Sequence, residues 1–224
     1  MTLPQPTSAQ GDERAGSDER VSLRDALGAA PLPDFALALP EGWGRVPTDG
    51  DGLALLEKRL SSRMMQANRM DLMIGFRSML RESFASMREW GAVAVFLPLD
   101  PEGLGQTGTA TSITAFLRKG EPDMSLDAYV QHAIQRFSAE PLYGDLRTVR
   151  FETETRKELD EQEVVLSTTH YVTPIPGTRR QRAVELLATY GRPASMPRDD
   201  ERVVALHVLF DLCASSLRWA APTS

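Results

Sequence analysis

Acid–base, nucleophilic or metal chemistry in this 224-residue chain would have to draw on three histidines, one cysteine, a serine pair and a short run of carboxylates. His132, His170 and His207 are far apart in sequence. None has a second His or Cys at the i+2 to i+4 spacing that lets one element present two metal ligands. His170, between Thr169 and Tyr171 in an apolar run, reads as a hydrogen-bonded sheet histidine. Cys213 lies among Phe210, Leu212 and Leu217 and reads as a small buried apolar side chain. Ser215 and Ser216 fall near the end of a helix, without the Gly-x-Ser-x-Gly elbow that exposes a nucleophile. Glu158, Asp160, Glu161 and Glu163 gather at a turn, where solvation is sufficient reason for them. No catalytic residue, metal site or cofactor is therefore predicted.

Two further patterns fail on context. Gly103, Gly105 and Gly108 resemble a phosphate loop, but they join strand to strand and lack the Gly-Lys-Ser/Thr ending that opens a helix. Arg179, Arg180 and Arg182 form a local basic cluster without the interleaved aromatics of a single-strand platform. The net charge of −6 and a pI near 5.2 oppose a general affinity for nucleic acid or anionic lipid. Neither is expected as a partner.

The distinctive chemistry is soft and cationic. Six of the nine methionines, Met64, Met65, Met70, Met73, Met79 and Met87, interleave with Arg59, Arg63, Arg69, Arg77, Arg81 and Arg88. Unbranched thioethers fill irregular space or line adaptable binding surfaces, and arginine is favoured at interfaces. Met73, Phe76, Arg77, Arg81 and Met87 are the predicted partner-binding residues, with Met73, Phe76 and Arg77 expected to be accessible.

These residues must be carried by helices. Leu53, Leu56, Leu60 and Met64 recur at helical spacing, as do Leu72, Phe76, Leu80, Phe84 and Met87, with a phase slip at 68–71. Two helices over 53–90 follow, Asn68 ending the first and Asp71 capping the second. Ahead of them, residues 34–47 read as strand, turn and strand, with Pro40-Glu41-Gly42 as the turn. Beyond them, strands are expected at 92–98, 110–117, 146–155, 163–172 and 180–190, with hairpin links at 157–162 and 173–178. A helix capped by Ser125 and a last helix over 200–217 complete the list. The predicted class is α+β: an antiparallel sheet covered by helices in an α/β/α sandwich. Its core is assigned to Phe35, Trp43, Val95, Phe96, Phe137, Tyr171, Phe210 and Trp219. Residues 1–20 read as a disordered acidic leader, 21–33 as a short helical lead-in, and 34–219 as one domain. Without a basic n-region or a long apolar run, a cytoplasmic location is expected.

With Phe35-x-Leu-x-Leu-Pro-x-Gly-Trp43 opening the domain and Phe210 to Ser216-Leu-Arg-Trp219 closing it, the chain resembles the PsbP/Mog-like superfamily and its LpqN-type actinobacterial branch. That resemblance implies the fold and no reaction, since members are mostly non-catalytic subunits, GTPase partners, lipoproteins and adaptors for secreted toxins. The chain departs from the lipoproteins in lacking a lipobox cysteine, and its helical region at 53–90 is longer than the simple fold needs. The leading expectation is a non-catalytic protein-binding module, an adaptor or chaperone for a secreted or toxic cargo. The alternatives are a structural subunit of a larger or homo-oligomeric assembly, and a small-molecule-binding protein or enzyme with a pocket between sheet and helices.

Overall fold

The computed structural model describes residues 33–100, 109–120, 124–159 and 162–220. The leader, all of the lead-in but its last residue, the three-glycine loop and the carboxylates Asp160 and Glu161 lie outside them.

Seven strands form one antiparallel sheet. In chain order its members are β2 (Trp43–Pro47), β3 (Ala92–Pro98), β4 (Thr111–Lys119), β5 (Glu140–Leu142), β6 (Asp145–Leu159), β7 (Gln162–Pro174) and β8 (Arg182–Pro193). Across the sheet the order is β2-β3-β4-β8-β7-β6-β5. Four helices cover it: α1 (Gly50–Gln66), α2 (Met73–Glu89), α3 (Leu126–Phe137) and α4 (Glu201–Ser215). Because side chains alternate across a strand, the registers sort every sheet residue to a layer. Phe96, Ile113, Ala188, Thr169 and Glu152 follow one another across paired strands on the face that meets α4. Val46, Val95, Thr114, Leu187, His170 and Phe151 do the same on the opposite face. That second face carries α3, packed through Phe137 against Phe151, and α1, whose Gly52 sits over Val46. The architecture is the three-layer α+β sandwich that the sequence predicts.

The first and last described strands meet. A two-residue strand β1 (Phe35–Ala36) pairs antiparallel with β9 (Arg218–Trp219), and Phe35 sits edge-on to Trp219 at 6.1 Å and tilted against Phe96 at 6.2 Å. This corrects the expected opening hairpin. Trp43 N does donate to Pro40 O across a tight turn with Gly42 at φ 75°, a conformation glycine adopts at little cost. Yet the chain before that turn leaves the sheet to place Phe35 over Phe96, and its backbone partners come from the other terminus. The last helix is corrected as well. It stops at Ser215 rather than Leu217, because Ser215 and Ser216 donate their hydroxyls to the carbonyls of Leu212 and Cys213. Ser216 Oγ also accepts from Ala38 N, so the serine pair caps a helix and ties both termini together.

Smaller differences have local causes. β6 and β7 run on to Leu159 and Gln162, shortening the expected link at 157–162. The first helix begins at Gly50, since Asp49 caps Asp51 N and Gly52 N. Asn68 ends that region in the left-handed conformation, whereas Asp71 pairs with Arg69 instead of capping α2. Phe137, assigned to the core, is instead 39% exposed at the end of α3, although its ring stacks on Phe151. Trp43 and Trp219 are half-buried, and the other assigned core residues are buried.

The two glycines at the start of α1 give a direct test of this packing. A Cβ on Gly52 would lie 1.8 Å from Pro47 O, a backbone atom that cannot rotate away, whereas one on Gly50 meets nothing within 4 Å. Gly52→Ala is expected to cost about 2–3 kcal/mol in urea unfolding, and Gly50→Ala to be neutral or stabilising by a few tenths.

Candidate functional site

The groove between α1 and α2 is assembled from both helices and the end of β3. Leu56, Arg59, Leu60 and Arg63 recur at i, i+3, i+4 and i+7 on α1, and Phe76, Met79, Leu80 and Ser83 do so on α2. Each set forms one stripe. Leu97, Pro98 and Leu99 supply the floor, and the space enclosed is about 350 Å³. The opening turn sets the floor's height: Leu99 N donates to Gly42 O at 2.8 Å. Gly44 lies directly under Leu99, whose Cδ1 would be 2.4 Å from any Cβ there.

Leu99 O in turn accepts from the guanidiniums of Arg59 and Arg63. Neither arginine forms an ion pair with a carboxylate among the described residues, and both guanidiniums stand at one end of the apolar groove. Three other arginines of the region are neutralised or tied. Arg81 pairs with Glu57 at 2.6 Å, Arg69 with Asp71 at 3.1 Å, and Arg77 donates to Ser61 Oγ at 2.9 Å.

The five residues named from sequence divide accordingly. Phe76 lines the groove and is exposed. Met73, expected to be accessible, is only 6% exposed. It lies in the seam between the helices, its sulfur accepting from Ser61 Oγ at 3.6 Å, because it falls on the α2 stripe that includes buried Phe84. Arg77 and Met87 are half-buried, and Arg81 is exposed in its ion pair. Groove residues missed from the sequence are Met79, 62% exposed, and the clamped pair Arg59 and Arg63. Met79 stands at i+3 from Phe76, a signal that was available; the convergence on Leu99 O was not. Met65, Met70 and Ile74 extend the exposed apolar surface of the hairpin.

Groups with catalytic potential are instead committed to one another. Glu185 on β8 is fully buried. It accepts from Tyr129 Oη at 2.9 Å and from the Arg118 guanidinium, and its Oε1 lies 2.9 Å from His170 Nδ1. The other ring nitrogen of His170 meets Thr153 Oγ1 at 3.0 Å, and Phe151 stacks on the imidazole at 4.3 Å. His170 is thus the hydrogen-bonded sheet histidine expected. Burial pushes the Glu185 carboxyl up, but His170 and Arg118 reverse that and hold it below the ordinary carboxylate range.

Under α4, Asp211 accepts from Arg150 at 2.9 Å and Tyr171 Oη at 2.6 Å, while His207 Nε2 meets Tyr190 Oη at 2.9 Å. Burial drives the Tyr171 hydroxyl and the His207 imidazole toward their neutral forms. The Cys213 thiol is pushed up to about 11 by burial alone, which leaves it protonated and unreactive at neutral pH. Among the described residues no group of three or more His, Cys, Asp or Glu side chains is placed to hold a metal ion. No helix among them is long and apolar enough to cross a membrane.

Glu154 on β6 makes this layer acid-sensitive. Burial raises its carboxyl, but Arg198, Arg192 and the Ser167 hydroxyl more than reverse the effect and hold it at about 2, against an ordinary 4.5. A folded-state value below the unfolded one gives stability that is complete above roughly pH 5 and disappears as the pH falls toward 2. Glu154 is exposed, so solvent screening cuts the contribution to about 1–2 kcal/mol. Urea midpoints of the wild type should therefore drop between about pH 6 and about pH 3, and Glu154→Gln should remove a measurable part of that slope. An unchanged slope would show that the carboxylate is not held as described.

No family model matches this sequence, and no curated protein matches it. Among solved structures the chain is similar in general fold to LpqN of Mycobacterium tuberculosis, described as involved in cell envelope biogenesis. That likeness has 10% identity and a TM-score of 0.41, over 86% of this chain and 87% of that one. A Bacteroides thetaiotaomicron protein is similar at 10% identity and a TM-score of 0.38, over 84% of this chain and 45% of the other.

Proposed function

We propose that this chain is a protein-binding module that receives an amphipathic helix of its partner in the α1–α2 groove. The observation that carries the reading is the groove's composition: apolar walls from two helices and a strand end, with two arginines at one end that have no carboxylate partner among the described residues. Apolar side chains at i, i+3 or i+4 and i+7 of a helix match parallel stripes of this kind. An acidic residue flanking those anchors would meet Arg59 and Arg63 and fix the orientation of docking. Exposed Phe76 and Met79 are the natural contacts, Met79 adapting its unbranched chain to the anchor it meets.

An adaptor or chaperone for a protein cargo would use such a groove in this way, and we place the module in the cytoplasm, where a lone thiol such as Cys213 needs no partner. The Pro40–Trp43 turn and the closing Ser216-Leu217-Arg218-Trp219 support placing it with the PsbP/Mog-like proteins of LpqN type.

The test is selection from a displayed library of helical peptides, followed by titration of the best binders. Selected peptides should carry apolar anchors at helical spacing beside an acidic flank. Met79→Asp, at an exposed site that does not disturb the fold, should weaken them at least tenfold, about 1.4 kcal/mol. Arg59→Glu should favour peptides with a basic flank. A folded Met79→Asp variant that retains full affinity would exclude the groove. Light scattering of the free protein separates the alternative of self-assembly, which predicts a dimer or larger species at micromolar concentration that Met79→Asp dissociates.

A further inference from the structure

A second cavity, on other elements, carries a separate chemistry. Where β7 turns into β8, about 550 Å³ is enclosed by apolar walls that include Val130 on α3, Val149 on β6, Ile175 and Trp219. That volume falls within the range of small-molecule sites. Leu146, 84% exposed, stands at its edge.

The rim is cationic. Arg179 and Arg180 line it, both exposed, and neither makes an ion pair or side-chain hydrogen bond among the described residues. Arg147 is also there, neutralised by Asp145 at 2.9 Å. The first residue of α3, Leu126, belongs to the wall, so the N-terminal turn of that helix borders the same space. One carboxylate, Asp127, partly offsets this charge.

The backbone makes the two arginines informative. Gln181 N donates to Thr178 O at 3.0 Å, closing a four-residue turn whose central residues are Arg179 at φ 50° and Arg180 at φ 59°. Consecutive left-handed residues are what a type I′ hairpin turn demands, and Asn-Gly is the pair that fills it with least strain. Here both positions hold long cationic side chains with no side-chain partner among the described residues. Strain kept in place at the mouth of a cavity points to a ligand rather than to the turn itself.

We propose that this cavity binds a small organic carboxylate, its apolar body against Trp219, Ile175 and Val130 and its head group between the Arg179 and Arg180 guanidiniums. Planar guanidiniums suit a carboxylate because they can donate two parallel hydrogen bonds to it. The site shares no residue with the α1–α2 groove and does not rest on the reading of that groove.

Calorimetric titration with naphthoate and with its neutral analogue naphthamide tests it, using Trp219 fluorescence as a second readout. Naphthoate should bind and quench, and naphthamide should bind at least tenfold more weakly. Replacing both arginines with the favoured turn pair, R179N/R180G, should raise or preserve the melting temperature. The same variant should cut naphthoate affinity at least tenfold and leave naphthamide unchanged. R179Q/R180Q, which removes charge without altering the demand on the turn, should give the same loss. Trp219→Phe should lose the quenching while binding is still read by calorimetry. The proposal fails if naphthoate does not bind, if acid and amide bind equally, or if either folded double variant binds naphthoate like the wild type.

Discussion

A carboxylate with no solvent exposure, Glu185, is the constraint around which the sandwich is arranged. An ionised group in that position is tolerable only when counter-charge and hydrogen bonds replace lost water. Each replacement comes from a different element: Arg118 from β4, His170 from β7 and Tyr129 from α3. Thr153 of β6 then holds the far side of His170. Four elements are therefore fixed against β8 by one side chain. A one-residue slip of β8 toward the place of Leu186 would turn Glu185 to the α4 face, between Ala115 and Tyr171, and strand the charge there. The network thus sets register as much as it adds stability.

The same constraint shapes what is left for function. His170, Tyr129 and Glu185 form a constellation with proton-transfer chemistry, yet Phe151 stacks on the imidazole and the remaining polar atoms face one another. On the opposite face, His207 and Asp211 are taken up by Tyr190, Arg150 and Tyr171. Among the described residues, surfaces with uncommitted chemistry lie elsewhere, in the apolar groove that Arg59 and Arg63 border and in the cavity under the β7–β8 turn. Both place cations beside apolar walls, in a chain whose net charge is −6.

Much of the fold was legible because it rests on short-range signals. The strand expected over 180–190, the Ser125 cap and the phase slip near Asn68 each report a local preference, and the structure agrees with each. The β1–β9 pairing was not legible, since it joins residues at opposite ends of the chain and no local pattern distinguishes it from a hairpin. The burial of Met73 was hidden for a similar reason: on a helix that is apolar on two adjoining stripes, only the neighbour decides which one is covered. The groove was half legible. Phe76 and its helix could be named from spacing and composition, whereas Arg59, Arg63 and Leu99 are united by a backbone carbonyl, and carbonyls leave no mark on a sequence. The Arg179–Arg180 pair was visible as charge, but its meaning came from two backbone angles.

The helical hairpin has a thermodynamic position that bears on its use. Across two helices of seventeen residues each, only Gly52, Met73 and Phe84 are buried, whereas α4 buries five of fifteen. Segments that bury little apolar surface open at low free-energy cost and form the less stable part of a domain. The seam between α1 and α2 is itself polar at Glu57–Arg81 and Ser61–Arg77, with one of those partners exposed. An apolar helix laid in the groove would add the burial that this hairpin lacks. Ligands that bind only the folded form stabilise it by mass action. Occupancy and order of the hairpin are then linked, and the element with the most exposed methionines gains the most from being covered.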